Sequence, residues 1–252
     1  MNRAIAIVSG KGGVGKTTVT ANLSAALMQF KKNVIALDAD IKMSGLGLQL
    51  GMYYFPVTLT DVLEQKANVF EAIYIHPSGL RIIPASLCAQ NVKVSRLKDI
   101  LNDQLLNDNI VLVDSPPGLE TNTLSVLKAC KELIIVTIPE IPAITDVMKT
   151  IAVAKKLESK PIGIIVNRYR RREKNQVNIK EIESACGVPV IGVIPEDKTI
   201  KKSIFKRVPA VFLDQYSASS IEFKKIAANL VGEKYIPPRL FKVKRFFRGL
   251  KK

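Results

Sequence analysis

Hydrophobic residues along the chain form short runs that alternate with longer segments of helical periodicity. The runs are rich in β-branched side chains, which is typical of buried parallel strands. They cover residues 4–8, 34–37, 80–83, 110–113, 133–138, 162–166 and 190–194. Most are separated by segments with apolar residues at helical spacing, which cover 17–30, 94–106, 122–130, 143–157, 179–186 and 218–230.

This alternation predicts an α/β fold, a mostly parallel twisted sheet with helices on both faces. The chain has 252 residues and is 47% apolar, which is enough for one large domain with a full core. We expect residues 1–236 to form that domain and residues 237–252, which begin with a Pro-Pro pair, to form a separate C-terminal tail. Ligands of such sheets bind at the carboxyl ends of the strands.

Several classes of protein do not fit this sequence. No apolar run is long enough to span a membrane, and Met1 leads almost directly into the first strand without a signal peptide, so we expect a cytoplasmic protein. The cysteines at 88, 130 and 186 form no C-x-x-C pair, which argues against a disulfide framework, a zinc site or a bound iron–sulfur cluster. His76, the single histidine, has no second ligand nearby and is interpreted as structural.

The first candidate site lies between the first strand and the first helix. Residues 10–18 fit the phosphate-binding pattern G-x-x-x-x-G-K-[ST], in which glycines let backbone N–H groups converge on phosphate oxygens. Lys16 is predicted to reach the β- and γ-phosphates, and the Thr17 hydroxyl to bind Mg²⁺. The predicted nucleotide-binding residues are Gly10, Lys11, Gly12, Gly13, Val14, Gly15, Lys16, Thr17 and Thr18.

The loop carries an additional lysine at position 11, which the general phosphate-binding pattern does not require. The sequence resembles the K-G-G-x-G-K-[ST] signature of the MinD/ParA family of deviant Walker A ATPases. The resemblance implies a P-loop NTPase fold, Mg²⁺-dependent hydrolysis of ATP and a homodimer formed on ATP binding, in which Lys11 reaches the partner's nucleotide. Such a lysine neutralises charge developing on a γ-phosphate only when a second subunit presents one. The alternative is a solvated loop lysine.

Two aspartates, Asp38 and Asp40, follow the second strand and project from the same side of the chain. This segment is similar to switch I of the family, which implies that Asp38 lies near Mg²⁺ and that Asp40 positions the attacking water. A carboxylate of ordinary pKa is a poor base toward water, so Asp40 is assigned an orienting role, and the predicted catalytic residues are Lys11, Lys16 and Asp40. The alternative is an N-cap pair for the next helix. The asparagine that many family members carry near Gly45 is absent.

The strand predicted at 110–113 ends in Asp114 and the turn Ser-Pro-Pro-Gly, the Walker B and switch II arrangement. Asp114 is predicted to hold Mg²⁺ through a water, and the Gly118 amide to sense the γ-phosphate. The predicted metal-site residues are thus Thr17, Asp38 and Asp114.

Two later strand ends resemble the family's adenine site. One ends in Asn167, whose amide pairs naturally with adenine because it donates and accepts where the base accepts and donates. The predicted base-binding residues are Asn167, Arg168, Pro195, Glu196 and Asp197. No N-K-x-D guanine motif is present, which favours ATP over GTP.

The formal net charge of +16 requires an anionic partner, and residues 239–252 hold seven basic residues and no acid. On a helix five of the apolar residues in this segment would share one face, which is typical of a helix lying in an anionic membrane surface. The predicted membrane-facing residues are Leu240, Val243, Phe246, Phe247 and Leu250. The alternatives are a docked helix or a disordered basic end. The tail's position resembles the MinD branch of the family.

Together these features predict an ATPase that dimerises with ATP and binds the inner face of the cell membrane reversibly. Such a protein positions the division site or other machinery, with a protein activator or cargo that the sequence does not identify. The alternative is a ParA-like partitioning ATPase that binds DNA through basic clusters at 168–174 and 198–207.

Overall fold

The computed structural model describes residues 3–86, 94–173 and 175–238. Its strands form one sheet in the order β3-β4-β2-β5-β1-β6-β7-β8, parallel throughout except for the edge pair β3 and β4. The strands are β1 (Arg3–Val8), β2 (Val34–Asp38), β3 (Tyr74–Ile75), β4 (Arg81–Ile83), β5 (Ile110–Asp114), β6 (Glu132–Thr137), β7 (Lys160–Tyr169) and β8 (Val190–Pro195).

Ten α-helices occur in the described ranges. They are α1 (Lys16–Gln29), α2 (Leu46–Gln49), α3 (Leu59–Leu63), α4 (Leu97–Leu101), α5 (Thr121–Ala129), α6 (Ile141–Lys156), α7 (Ile179–Cys186), α8 (Lys198–Lys206), α9 (Ala210–Leu213) and α10 (Ala218–Leu230). The predicted α/β architecture is therefore confirmed.

The sheet is buried between two helical layers, which explains why its strands are apolar on both faces. Ile5 and Ile7 of β1 pack with α1, α9 and α10, whereas Ala6 and Val8 face a second core formed with α3 to α7. Every one of these four side chains is fully buried. Alternate residues of β1 thus pack against both helical layers. This packing holds the end of β1, where the next loop begins, in a fixed position.

The helix predicted over 94–106 is wrong as a continuous element. The structure has a 3-10 turn at Val94–Arg96, the short α4, and a second 3-10 turn at Gln104–Leu106. Asp103 is extended, and its side chain accepts a hydrogen bond from the backbone N–H of Leu105. An aspartate side chain that bonds to the backbone in this way competes with helical hydrogen bonding. Asp103 therefore interrupts the helix and caps the second 3-10 turn.

His76 is buried at the turn between β3 and β4. Its Nδ1 lies 2.7 Å from Ser78 Oγ, and its Nε2 donates to the Arg207 carbonyl at 3.0 Å. Both ring nitrogens are therefore engaged within the fold, as expected of a structural histidine. No helix in the described part of the chain has the length and apolar character needed to cross a membrane.

Candidate functional site

The phosphate loop connects β1 to α1 at the carboxyl edge of the sheet. Gly13 and Gly15 adopt φ angles of 77° and 98°, in the left-handed region that disfavours side chains. Gly15 is the N-cap of α1, and the first turn of α1 contains no acidic residue. The first turn thus adds no negative charge to the positive end of the helix, which suits a phosphate group.

The loop begins against helix α6. A Cβ placed on Gly10 would lie 2.8 Å from the backbone carbon of Asp146, closer than real Cβ atoms approach a backbone. A Cβ on Gly12 would have Pro117 Cβ as its nearest neighbour, at 3.8 Å, an ordinary contact. Only glycine therefore lets the start of the loop pack on α6.

We expect Gly10→Ala to lower the free energy of unfolding by about 1–3 kcal/mol, because the methyl group forces backbone apart. Gly12→Ala is the matched control, and we expect it to change that free energy by less than about 0.5 kcal/mol. Urea unfolding without nucleotide measures both. Equal stabilities of the two variants would contradict the close packing of Gly10 on Asp146.

Lys16 is buried, with 8% of its surface exposed. Burial lowers the pKa of Lys16, and the charges of Asp114, Asp40 and Asp38 oppose that shift. The structure thus brings the predicted phosphate-binding lysine and the three predicted carboxylates into one electrostatic cluster, although they come from three segments of the chain.

Asp38 and Asp114 pair in register across the parallel strands β2 and β5. Both are buried, and burial raises the pKa of each; the charge of Asp38 raises that of Asp114 further. Hydrogen bonding from the Thr17 side chain opposes the shift at Asp114, and Thr20 Oγ1 lies 3.4 Å from Asp114 Oδ1. Two buried carboxylates and a hydroxyl at one strand edge form a set that a divalent cation would stabilise.

The donor set fits Mg²⁺ in particular. The described residues contain no group of three or more His, Cys, Asp or Glu side chains arranged to hold a metal ion by themselves. Mg²⁺ is usually bound through one or two carboxylates while keeping water and phosphate ligands, and the buried pair Asp38 and Asp114 supplies two such carboxylates.

The Asp38 carboxylate also organises the loop after β2. Its Oδ2 accepts from Ser44 Oγ at 3.0 Å and from the backbone N–H groups of Gly45 and Leu46 at 3.0 and 3.1 Å, and its Oδ1 accepts from Asp40 N–H at 3.1 Å. Free accepting capacity therefore remains mainly on Oδ1. Gly45 N–H and Leu46 N–H thus fix the start of α2 to the site.

Asp40 is half-buried beyond the end of β2, where its Oδ1 accepts from Met43 N–H at 3.1 Å. Burial raises the pKa of Asp40, and Lys16 is among the groups that oppose this. The neighbouring Lys42 forms an ion pair with Glu120 at 2.6 Å, which links the loop after β2 to the segment before α5. Surface pairs of this kind are weak and easily broken.

The turn after β5 returns to the phosphate loop. Gly118, with φ of 74°, donates its N–H to the Ser9 carbonyl at 3.1 Å, and Ser9 Oγ donates to the Lys11 carbonyl at 2.8 Å. The amide predicted to sense a γ-phosphate thus donates to the loop that would hold the phosphate. This hydrogen bond joins the turn after β5 to the start of the phosphate loop.

Lys11 projects into solvent from this loop, and it forms no ion pair with any residue in the described ranges. Lys16, five residues later, is buried. The two lysines of the motif therefore occupy opposite environments.

The predicted adenine residues surround a cavity of about 490 Å³ beside Gly15 and Thr18. Asn167 Nδ2 donates to the Val14 carbonyl at 2.7 Å, and its Oδ1 accepts from Arg168 N–H at 3.0 Å. Arg168, at φ of 56°, also lines the cavity. Asn167 thus ties the cavity to the phosphate loop while one amide hydrogen remains available to a base.

The other strand end contributes Pro195, Glu196 and Asp197 to the cavity wall. Asp197 caps α8 by accepting from Thr199 N–H, and its other oxygen accepts from Ser219 N–H and Oγ. Burial alone would raise the pKa of Asp197, but these hydrogen bonds outweigh it and lower the pKa. Asp197 therefore also holds α8 and α10 in place.

Some cavity residues have no motif in the sequence. Ile200, Lys201 and Ile204 of α8 line the cavity, as do Glu140 and Arg170. The sequence around α8 indicated a basic cluster, and only the packing of the helix brings its apolar positions to the site. The predicted membrane residues Leu240, Val243, Phe246, Phe247 and Leu250 lie outside the described residues.

The chain is similar to known proteins over most of its length. The model of the CobQ/CobB/MinD/ParA nucleotide binding domain matches residues 5–210. An uncharacterised ATP-binding protein of Methanocaldococcus jannaschii is 42% identical over 237 residues, covering 92% of this chain and 89% of that protein.

Two solved structures are similar over nearly their whole length. The septum site-determining protein MinD of Pyrococcus horikoshii, complexed with Mg-ADP, has a TM-score of 0.84 and 36% identity, with 91% of this chain and 96% of that chain covered. The MinC:MinD cell division protein complex of Aquifex aeolicus has a TM-score of 0.84 and 27% identity, with coverages of 94% and 98%.

Proposed function

The chain belongs to the CobQ/CobB/MinD/ParA nucleotide-binding family and is an ATPase that uses ATP and Mg²⁺, and from this premise we propose that ATP binding pairs two copies of it on an anionic membrane. The dimer binds the inner face of the cell membrane through residues 237–252, while residues 1–236 form the ATPase domain. Hydrolysis then releases the dimer, so the protein positions the division site or other machinery.

The observation that carries the proposal is the cluster of Lys16, Asp38, Asp40 and Asp114 at the carboxyl edge of the sheet, beside an exposed Lys11. We assign Lys16 and the loop amides to the phosphates, and Thr17, Asp38 and Asp114 to Mg²⁺. Bound Mg²⁺ neutralises charge on the phosphate oxygens. Asp40 orients the attacking water, and the cavity beside Asn167 receives the adenine.

Lys11 supports the dimer. A buried lysine and an exposed one in the same loop are suited to different tasks, Lys16 to its own subunit's nucleotide and Lys11 to another's. Hydrolysis then requires two subunits, because charge developing on a γ-phosphate is fully compensated only across the interface. The Gly118–Ser9 hydrogen bond gives the turn after β5 a route by which to respond to the nucleotide.

The tail supports the membrane role through its composition. Residues 239–252 combine seven basic residues with a periodic set of apolar ones. One short amphipathic helix binds weakly and reversibly, roughly as a single acyl chain does. Two tails on one dimer raise the avidity by about 10² to 10⁴, so dimerisation switches membrane binding on.

A protein partner is also proposed, since a similar protein from Aquifex aeolicus is known in a complex with MinC.

Sedimentation with vesicles of phosphatidylglycerol and phosphatidylcholine tests the coupling. We expect the full chain to pellet with these vesicles in ATP, and at least about tenfold less in ADP or without nucleotide. The variant Phe246→Ser/Phe247→Ser should lose this binding, whereas Phe70→Ser, at an exposed position of the ATPase domain, should retain it. Equal pelleting in all nucleotide states would refute the coupling.

The DNA-binding alternative is tested in the same assay with random-sequence duplex DNA in place of vesicles. Its support is the basic cluster of residues 198–207, whose Lys198, Lys201, Lys202, Lys206 and Arg207 are all exposed. Salt-sensitive pelleting with duplex DNA, and none with vesicles, would favour that function.

A further inference from the structure

Helix α8 lines the cavity beside Asn167 with one face and exposes a second face. Ile200, Lys201 and Ile204 line the cavity. On the outer face, Lys202 and Lys206 lie one turn apart and are exposed, and Phe205 is 80% exposed. Lys206 Nζ lies 5.9 Å from the centroid of the Phe205 ring, so an exposed aromatic ring and a cation share this outer face.

The exposed patch continues onto the chain segment after α2. The Arg207 guanidinium lies 5.0 Å from the centroid of the Tyr53 ring, and a Cβ on Gly51 would lie 2.9 Å from Arg207 Cγ. Tyr54 beside it is 84% exposed. We name this continuous patch the α8 surface and define it as Tyr53, Tyr54, Lys202, Phe205, Lys206 and Arg207.

The two chain segments that form the α8 surface contain no acidic residue. No acidic residue occurs between Asp197 and Asp214, or between Asp40 and Asp61. Lys202, Lys206 and Arg207 form no ion pair with any residue of the described ranges. Aromatic side chains among unpaired cations are complementary to a partner that is both anionic and apolar.

We propose that the α8 surface is a second contact for an anionic lipid bilayer, an inference that rests on the proposed membrane role of the tail. Phe205 enters the boundary between headgroups and acyl chains, while Lys202 and Lys206 meet the headgroups. Duplex DNA fits less well, because its phosphate backbone would pair with the lysines but would offer the exposed Phe205 no apolar environment.

The position of the tail's root agrees with this assignment. The Arg207 carbonyl is bonded to His76, and the turn that begins at His76 approaches the end of α1, where a Cβ on Gly79 would lie 3.5 Å from Met28 Cε. Two residues beyond Met28, the Phe30 ring packs edge-on against Tyr235 with centroids 6.3 Å apart. A chain of contacts thus links the α8 surface, through His76 and the end of α1, to Tyr235 just before the tail.

Vesicle binding of the full chain in ATP tests the proposal, using phosphatidylglycerol/phosphatidylcholine vesicles. We expect Lys202→Glu/Lys206→Glu to weaken binding by at least about tenfold, because each cation near an anionic surface contributes measurably. Lys155→Glu/Lys156→Glu changes the net charge equally at exposed positions of α6 and should stay within about twofold. Phe205→Ser should weaken binding, and Phe70→Ser should not.

The remaining outcomes separate this proposal from the function proposed for the tail. If Phe246→Ser/Phe247→Ser loses binding while both α8 variants bind as the parent does, the α8 inference is overturned and the tail's role stands. If the α8 variants weaken binding while the tail variant does not, the α8 contact stands and the tail's role fails. Loss of duplex DNA binding alone in the α8 variants overturns the lipid assignment. Unchanged nucleotide affinity and thermal unfolding show that the variants are folded.

Discussion

Lys16→Ala should lower ATP turnover by about 10³-fold or more and weaken binding of the nucleotide itself. Lys16 is the buried cation within reach of the charges of Asp38, Asp40 and Asp114, at the start of the helix that receives the phosphates. Its removal leaves the carboxylates facing the phosphates without the intervening positive charge, so repulsion replaces attraction in a site with little water to screen it. The effect therefore appears both in binding and in hydrolysis.

The matched control is Lys31→Ala, just beyond the other end of the same helix, where the side chain is exposed. We expect this variant to retain turnover within about twofold. Titration with a fluorescent ATP analogue and steady-state release of phosphate measure the two effects. Turnover by Lys16→Ala close to that of the parent would contradict the assignment of Lys16 to the phosphates.

The strands and the site at their carboxyl ends follow from local sequence. A strand buried on both faces needs a continuous apolar run, and each such run ends where a polar residue is needed, as with Asp38 and Asp114. The parallel order then brings those ends together, and the register of β2 with β5 sets the two carboxylates side by side. The hydrophobic pattern and the parallel topology are therefore sufficient to predict the strands and the paired carboxylates at their ends.

The cavity wall from α8 has no comparable sequence signal. The nine residues of α8 include four lysines, and only Ile200 and Ile204, four positions apart, form its apolar side. The position of these two isoleucines in the cavity wall depends on Asp197. Asp197 caps α8 and accepts a hydrogen bond from Ser219 of α10, more than twenty positions away in the chain. A long-range clamp of this kind is set by tertiary packing and not by periodicity.

Asn167 shows a second limit of sequence analysis. Its position at the end of β7 is predictable, but its hydrogen bond to the Val14 carbonyl joins parts of the chain 153 residues apart. The bond explains why Gly15 has no side chain, since a Cβ there would collide with Asn167 Nδ2. The interpretation of Asn167 as a base-binding residue therefore stays a prediction, and its attachment to the phosphate loop is a structural finding.

Lys11→Ala should leave ATP binding nearly unchanged and lower turnover by about 10²-fold or more, the opposite division from Lys16→Ala. The physical reason is position: Lys11 is exposed and forms no ion pair within the described ranges, so in the proposed dimer its charge is available to the partner subunit's nucleotide. ATP-dependent dimerisation, measured by light scattering, should weaken as well, because an interfacial contact to the phosphate is lost.

Mixing two inactive variants decides whether Lys11 acts across the interface. Asp40→Ala lacks the residue that orients water but retains Lys11, and Lys11→Ala retains Asp40. In a mixed dimer the nucleotide of the Lys11→Ala subunit keeps its own Asp40 and receives Lys11 from the partner, so one of the two sites is complete. Half of the dimers in an equal mixture are mixed, and turnover should recover to about a quarter of the parent's. A lysine acting within its own subunit leaves no site complete, and the mixture then stays as inactive as either variant alone.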